Sequence, residues 1–136
     1  MVLDTDIPRS IPPLREVPHY HGDALRTLFV TEATLLIVAA ATGAQLALSP
    51  TTSVGAAIAL VVAAGITNPA QHWIHYANGL LAALGAIIFG VQAVGSYPMD
   101  MDSSSFVFAL ALALISLVAL YLATRTIRGL LLRDNF

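Results

Sequence analysis

Apolar residues fill most of this chain in four blocks, at 28–48, 54–66, 73–95 and 106–123, separated by short polar or proline-bearing breaks. None of the blocks carries the continuous polar face of a surface helix. A helix that is apolar all round needs apolar surroundings on every side. A bilayer core of roughly 30 Å takes about 20 helical residues, with about 17 as the short limit. The first, third and fourth blocks meet that length, and the second does so when it recruits 50–53 and Thr67. The pattern predicts an all-α integral membrane protein with four transmembrane helices, approximately at 28–48, 51–67, 72–95 and 104–124.

The breaks carry helix punctuation. Ser49-Pro50 ends one helix and starts the next, because Ser is a good N-cap and Pro suits the first helical turn. Thr67-Asn68-Pro69 repeats the device, Tyr97-Pro98 closes the third helix, and 102–105 offers caps for the fourth. Breaks this short make sequence neighbours antiparallel neighbours, which gives two tandem helical hairpins. Around the bundle at 25–132, the pattern sets a proline-rich polar arm at 1–24 and a basic interfacial tail at 125–136. The arm holds Pro8, Pro12, Pro13 and Pro18, and its acidic start does not read as a signal peptide.

Charge gives an orientation. Arg9, Arg15 and Arg26 precede the first block, Arg125, Arg128 and Arg133 follow the last, and no break between blocks holds an arginine. By the positive-inside rule both termini are cytoplasmic, as an even number of spans requires. The expected location is the inner (cytoplasmic) membrane, multi-pass, with the lipid bilayer as the first partner. Composition narrows the chemistry. Hydrophobic residues make up 57% and charged residues 10%, against about 25% charged in a soluble domain. There is no Cys, hence no disulfide or thiolate metal site. Net charge is −2, and no basic face suggests nucleic acid.

Sliding the chain by 47 residues brings Gly43-Ala44-Gln45 onto Gly90-Val91-Gln92 and Ser49 onto Ser96. A duplicated two-helix unit would relate its halves by a pseudo-twofold along the membrane normal. Gln45 and Gln92 then form an expected polar pair. Trp73 with Asn78-Gly79 opening one helix, and Ser49-Pro50 closing another, resemble the SPW-repeat membrane proteins. Thr51 stands where that family's motif has Trp. The resemblance covers about 100 residues of the four blocks and implies a tandem helical fold with nothing catalytic.

Helix association in lipid relies on close packing and polar contacts. Gly43 in the first block and Gly79, Ala83, Ala86 and Gly90 in the third are the expected packing positions, which would make the third helix the centre of the bundle. Glu32 is the ionisable residue set well inside an apolar block. A charge at the bilayer centre costs at least about 2.5 kcal/mol. The first helix is expected to start near Asp23 to Arg26 and to enter the membrane at Leu28, so Glu32 would sit only about 6 Å inside. That depth predicts one cytoplasmic-side cluster of Glu32, His72, His75, Asn78 and Arg125.

Three functions compete for that cluster. It can tie helix ends together in a non-enzymatic accessory or scaffolding subunit, bound to itself or to a membrane complex. It can serve an oligomeric proton or cation channel or transporter built on Glu32 and His75. It can hold a metal or haem in a redox protein, through His72, His75 and Glu32. The first is the expectation, with no cofactor. No G-x-S-x-G, phosphate-binding glycine loop or dinucleotide fingerprint is present to suggest an enzyme.

Overall fold

A computed structural model of the chain describes residues 21–67, 71–96 and 103–134. It is all-helical among those residues. Four helices follow in order: α1 (Gly22–Thr42), α2 (Pro50–Ile66), α3 (His72–Ser96) and α4 (Ser104–Asp134). Three of them, Gly22–Thr42, His72–Ser96 and Ser104–Leu132, are long and apolar enough to cross a membrane. α2 has 17 residues, about 25 Å at 1.5 Å per residue. The arm to residue 20, the 68–70 and 97–102 breaks with Asn68, Pro98, Asp100 and Asp102, and the last two residues lie outside the described residues.

Local signals set the helix ends. Ser49 is the N-cap of α2, its Oγ accepting from the Thr52 N–H at 3.2 Å, with Pro50 in the first turn. Ser103 caps α4 in the same way, accepting from the Phe106 N–H at 3.1 Å. α1 starts at Gly22, beside the expected helix start near Asp23 to Arg26, and stops at Thr42 rather than at Leu48. Gly43 takes φ +77 and sends its N–H back to Ala40, while the Ala44 N–H bonds Ala39. A left-handed residue ends a helix because the next N–H groups fold back onto its last carbonyls. Residues 44–49 therefore form a linker.

The helices pair as α1 with α2 and α3 with α4, and the two hairpins join mainly through α1 and α4. α2 and α3 touch least, and α1 and α3 lie diagonally across the bundle. The expectation of a central α3 is thus corrected: α1 and α4 hold the hairpins together. Three hydrogen bonds at three levels explain it. Thr126 Oγ1 accepts from the His21 N–H at 3.1 Å, Ser116 Oγ donates to Glu32 at 2.7 Å, and Ser105 Oγ accepts from the Gln45 N–H at 2.9 Å. The first number rises as the second falls, so α1 and α4 are antiparallel and bonded from end to end. Across the α2–α3 seam, Thr67 bonds Asn78 at one end.

The inward face of α3 is Ile74, His75, Asn78, Ala82, Gly85, Phe89 and Ala93. This face is rotated from the expected packing stripe. Ala83, Ala86 and Gly90 are half-buried at its flank, and a Cβ added at Gly90 would meet nothing within 4 Å. Of the expected positions Gly79 does lie on α4, where a Cβ would stand 3.4 Å from Ile127. Gly43 serves as a helix cap, not a packing contact. In an all-apolar helix the sequence pattern cannot tell which small residues face inward, because polarity does not mark the two sides.

Candidate polar site at mid-bundle

Glu32 is the middle residue of the 21-residue α1, about 15 Å from either end at 1.5 Å per residue. Its side chain is 3% exposed. Oε1 accepts the Ser116 hydroxyl at 2.7 Å. Most hydroxyls on these helices turn back to their own backbone instead: Thr27, Thr31 and Thr34 on α1, and Thr124 and Thr126 on α4, each donate to the carbonyl four residues earlier. Ser116 leaves its helix and reaches across to α1. Gly85 of α3 makes the room. A Cβ there would stand 2.5 Å from Ser116 Oγ and 3.0 Å from Glu32 Oε1, closer than van der Waals contact allows. Glu32 Oε2 is buried and makes no hydrogen bond to any described residue.

A second polar group lies near the start of α1. The Arg26 guanidinium donates to the Thr67 carbonyl at the end of α2. This places a cation where the helix dipole leaves unsatisfied carbonyls. Thr67 Oγ1 donates to the Ala63 carbonyl at 2.6 Å and accepts from Asn78 Nδ2 at 3.0 Å. Thr67 thus joins α1, α2 and α3 at one point. Arg26 also approaches the exposed Asp23 at 3.7 Å, a surface pair that contributes little.

The expected cluster therefore divides. His75 and Asn78 are buried on one face of α3, but the carboxyl of Glu32 lies level with Gly85, seven residues further along α3, about 10 Å away along the helix. Glu32 meets Ser116 and Gly85 at mid-bundle instead of the first turns of α3. His72 is half-buried at the first residue of α3. Arg125 lies over the ring of Tyr121, 5.7 Å from its centroid, and donates to its hydroxyl at 3.2 Å. Among the described residues no three His, Asp or Glu side chains are grouped as a metal ligand set. The geometry thus does not assemble Glu32, His72 and His75 for the redox alternative.

Gln45 and Gln92 do meet, though not side chain to side chain. Gln92 Nε2 donates to the Gln45 carbonyl and Gln92 Oε1 accepts from the Ala47 N–H, both at 2.8 Å. One carboxamide thus clamps the backbone of the α1–α2 linker. Gln45 lies beyond the end of α1 and Gln92 inside α3. Ser116, Gly85, Thr67 and Arg26 were absent from the expected site. Ser116 carries a signal, since a serine in a long apolar block is a candidate interhelical donor.

The chain matches no family model, no curated protein and no solved structure.

Proposed function

We propose that this chain is a multi-pass integral membrane protein of the inner membrane, with four spans and both termini in the cytoplasm. It acts as a non-enzymatic accessory or scaffolding subunit. The apolar outer faces of its helices support the location: Ile58, Trp73, Leu80, Ile87 and Val91 are each more than half exposed, as residues facing lipid or a membrane partner would be. The arginine distribution at the two ends supports the orientation. The pairing of α1 with α2 and of α3 with α4 is compatible with tandem hairpins of the SPW-repeat kind, and that kinship belongs to the same proposal.

One observation favours a scaffold over a conductor. The Glu32–Ser116 pair and the Arg26–Thr67–Asn78 group are separated by buried apolar residues: Phe29 on α1, Ala82 on α3, and Ala119 and Ala123 on α4. Two polar groups that brace a bundle at different heights need no path between them. A proton or cation relay does. The test is purification of the tagged full chain from its native membrane in mild detergent, with the mass of the particle measured. A stoichiometric membrane-protein partner or a defined homo-oligomer is expected. A lone monomer at every detergent concentration would overturn the accessory role.

A further inference from the structure

The open α2–α3 seam holds a half-open cavity of about 200 Å³. Its walls include Leu36 of α1, Ala56 and Leu60 of α2, and Leu84, Ile88 and Phe89 of α3. Glu32 stands in the same wall, beside Gly85. Leu48 and Thr52 line it where the α1–α2 linker joins α2, and the Thr52 hydroxyl already accepts from Ser49 Oγ at 2.8 Å. Thr52 is exposed at the rim, so the buried polar group in the cavity wall is the Glu32 carboxyl. One of its oxygens is held by Ser116; the other, in a side chain 97% buried, makes no hydrogen bond to any described residue.

We propose that this cavity binds a small lipophilic amine, with its ammonium paired to the Glu32 carboxyl and its apolar body between α2 and α3. Three observations define that ligand. The lining is apolar apart from Glu32 and Thr52, so the body of the ligand is hydrocarbon. An apolar cavity of about 150 Å³ accepts benzene, so this one takes a ring with a short side chain. An amine suits this carboxyl in either state, because it takes the proton of a carboxylic acid and donates to a carboxylate. An ammonium is the donor that also cancels the charge, and buried charges persist when paired and hydrogen-bonded. Ser116 and Gly85 act as positioning residues: the first holds Oε1, the second leaves the space in which the carboxyl lies. The position of Glu32 at the middle of α1 lets the ligand enter sideways between α2 and α3, where the helices touch least.

The proposal goes beyond the accessory role and is independent of it, since a chain that co-purifies with nothing can still bind an amine. The test titrates 2-phenylethylamine into the purified full chain in detergent micelles, with empty micelles as the blank and calorimetry as the readout. Saturable binding is expected. The isosteric neutral alcohol, 2-phenylethanol, should bind about tenfold to hundredfold more weakly, as should the amine to Glu32→Gln. Ala56→Phe adds a ring to the α2 wall of the cavity and keeps the Glu32 carboxyl, and it should abolish binding; undiminished binding would overturn the proposal. Equal binding of amine and alcohol, equal binding to wild type and Glu32→Gln, or the absence of saturable binding would each overturn the proposal. If Glu32→Gln fails to fold, the amine–alcohol comparison on wild type and the Ala56→Phe variant still decide.

Discussion

Ser116 and Glu32 lie 84 residues apart in the chain and 2.7 Å apart in the fold, and Gly85 of a third helix leaves the space in which they meet. This sets the first prediction. Gly85→Ala places a methyl 2.5 Å from Ser116 Oγ, and a forced shift of this kind in a packed core costs about 1–3 kcal/mol. Ser116→Ala relieves the closest contact, although the remaining Cβ at 3.2 Å is still tight. Gly85→Ala should therefore destabilise the Ser116→Ala background by less than it destabilises wild type. Unfolding in mixed micelles, run as a double-mutant cycle, measures the difference. Strict additivity would mean that the two residues do not share that space.

Ser116→Ala by itself tests the hydrogen bond. Interhelical polar pairs in membrane proteins average about 0.6 kcal/mol, with about 1.7 as the upper end. Here the upper end is expected, because the change leaves a buried carboxyl with neither oxygen bonded to a described residue. Ser116→Thr keeps the hydroxyl and should retain more stability than Ser116→Ala in the same unfolding assay. The reverse order would assign Ser116 a packing role alone.

Glycines at other positions should respond differently. Gly90→Ala meets open space within a helix, so it should be neutral or stabilising by up to about 1 kcal/mol, the helix-propensity difference. Gly43→Ala also meets open space, but its φ of +77 disfavours a Cβ, at about 1–2 kcal/mol. The melting temperature should fall in Gly43→Ala and hold or rise in Gly90→Ala. A fall of similar size in both would mean that Gly90 packs against a partner.

Gln92 makes a prediction about the linker. Its carboxamide satisfies the Gln45 carbonyl and the Ala47 N–H together. Gln92→Leu removes both bonds and should raise amide hydrogen exchange at Ala47, while leaving the amides of mid-α3 protected. Gln92→Glu keeps the acceptor for Ala47 and loses the donor to Gln45. Its exchange at Ala47 should lie between that of wild type and Gln92→Leu. Unchanged exchange in both variants would show that the linker is held by other means.

These residues also show what the sequence could reveal. The four helices were legible, and so was the α1–α2 break, because apolar run length, Ser49 and Pro50 act locally. Glu32 was visible as the odd charge in an apolar block, but not its depth. Its level depends on how α1 is set against α3 and α4, and an apolar run gives no register between helices. Which side of each helix turns inward was not legible, since large apolar residues serve both lipid and core. Gly85 and Gly90 look alike in sequence; the fold buries the first against Ser116 and leaves the second open. Likewise the Gln45–Gln92 meeting was anticipated, but its form depends on α1 ending at Gly43, which frees the linker backbone for the Gln92 amide.

The last prediction concerns transport. If Glu32 passed protons, a chain of polar groups would have to join it to one side of the bundle. Towards the start of α1 the nearest polar group is Arg26–Thr67–Asn78, and Phe29 and Ala82, both fully buried, lie between. An ordered chain of waters needs polar partners for each molecule, and neither residue offers one from its side chain. Proteoliposomes carrying the wild-type chain and an internal pH dye should therefore collapse an imposed proton gradient no faster than those carrying Glu32→Gln. Fast collapse in wild type that Glu32→Gln abolishes would replace the accessory role with conduction. It would also require that the cavity between α2 and α3, not the packed core, carries the path, because that cavity is the open space that reaches the carboxyl from the side. Ala56→Phe, by filling it, should then block the flux as completely as the loss of the carboxyl does.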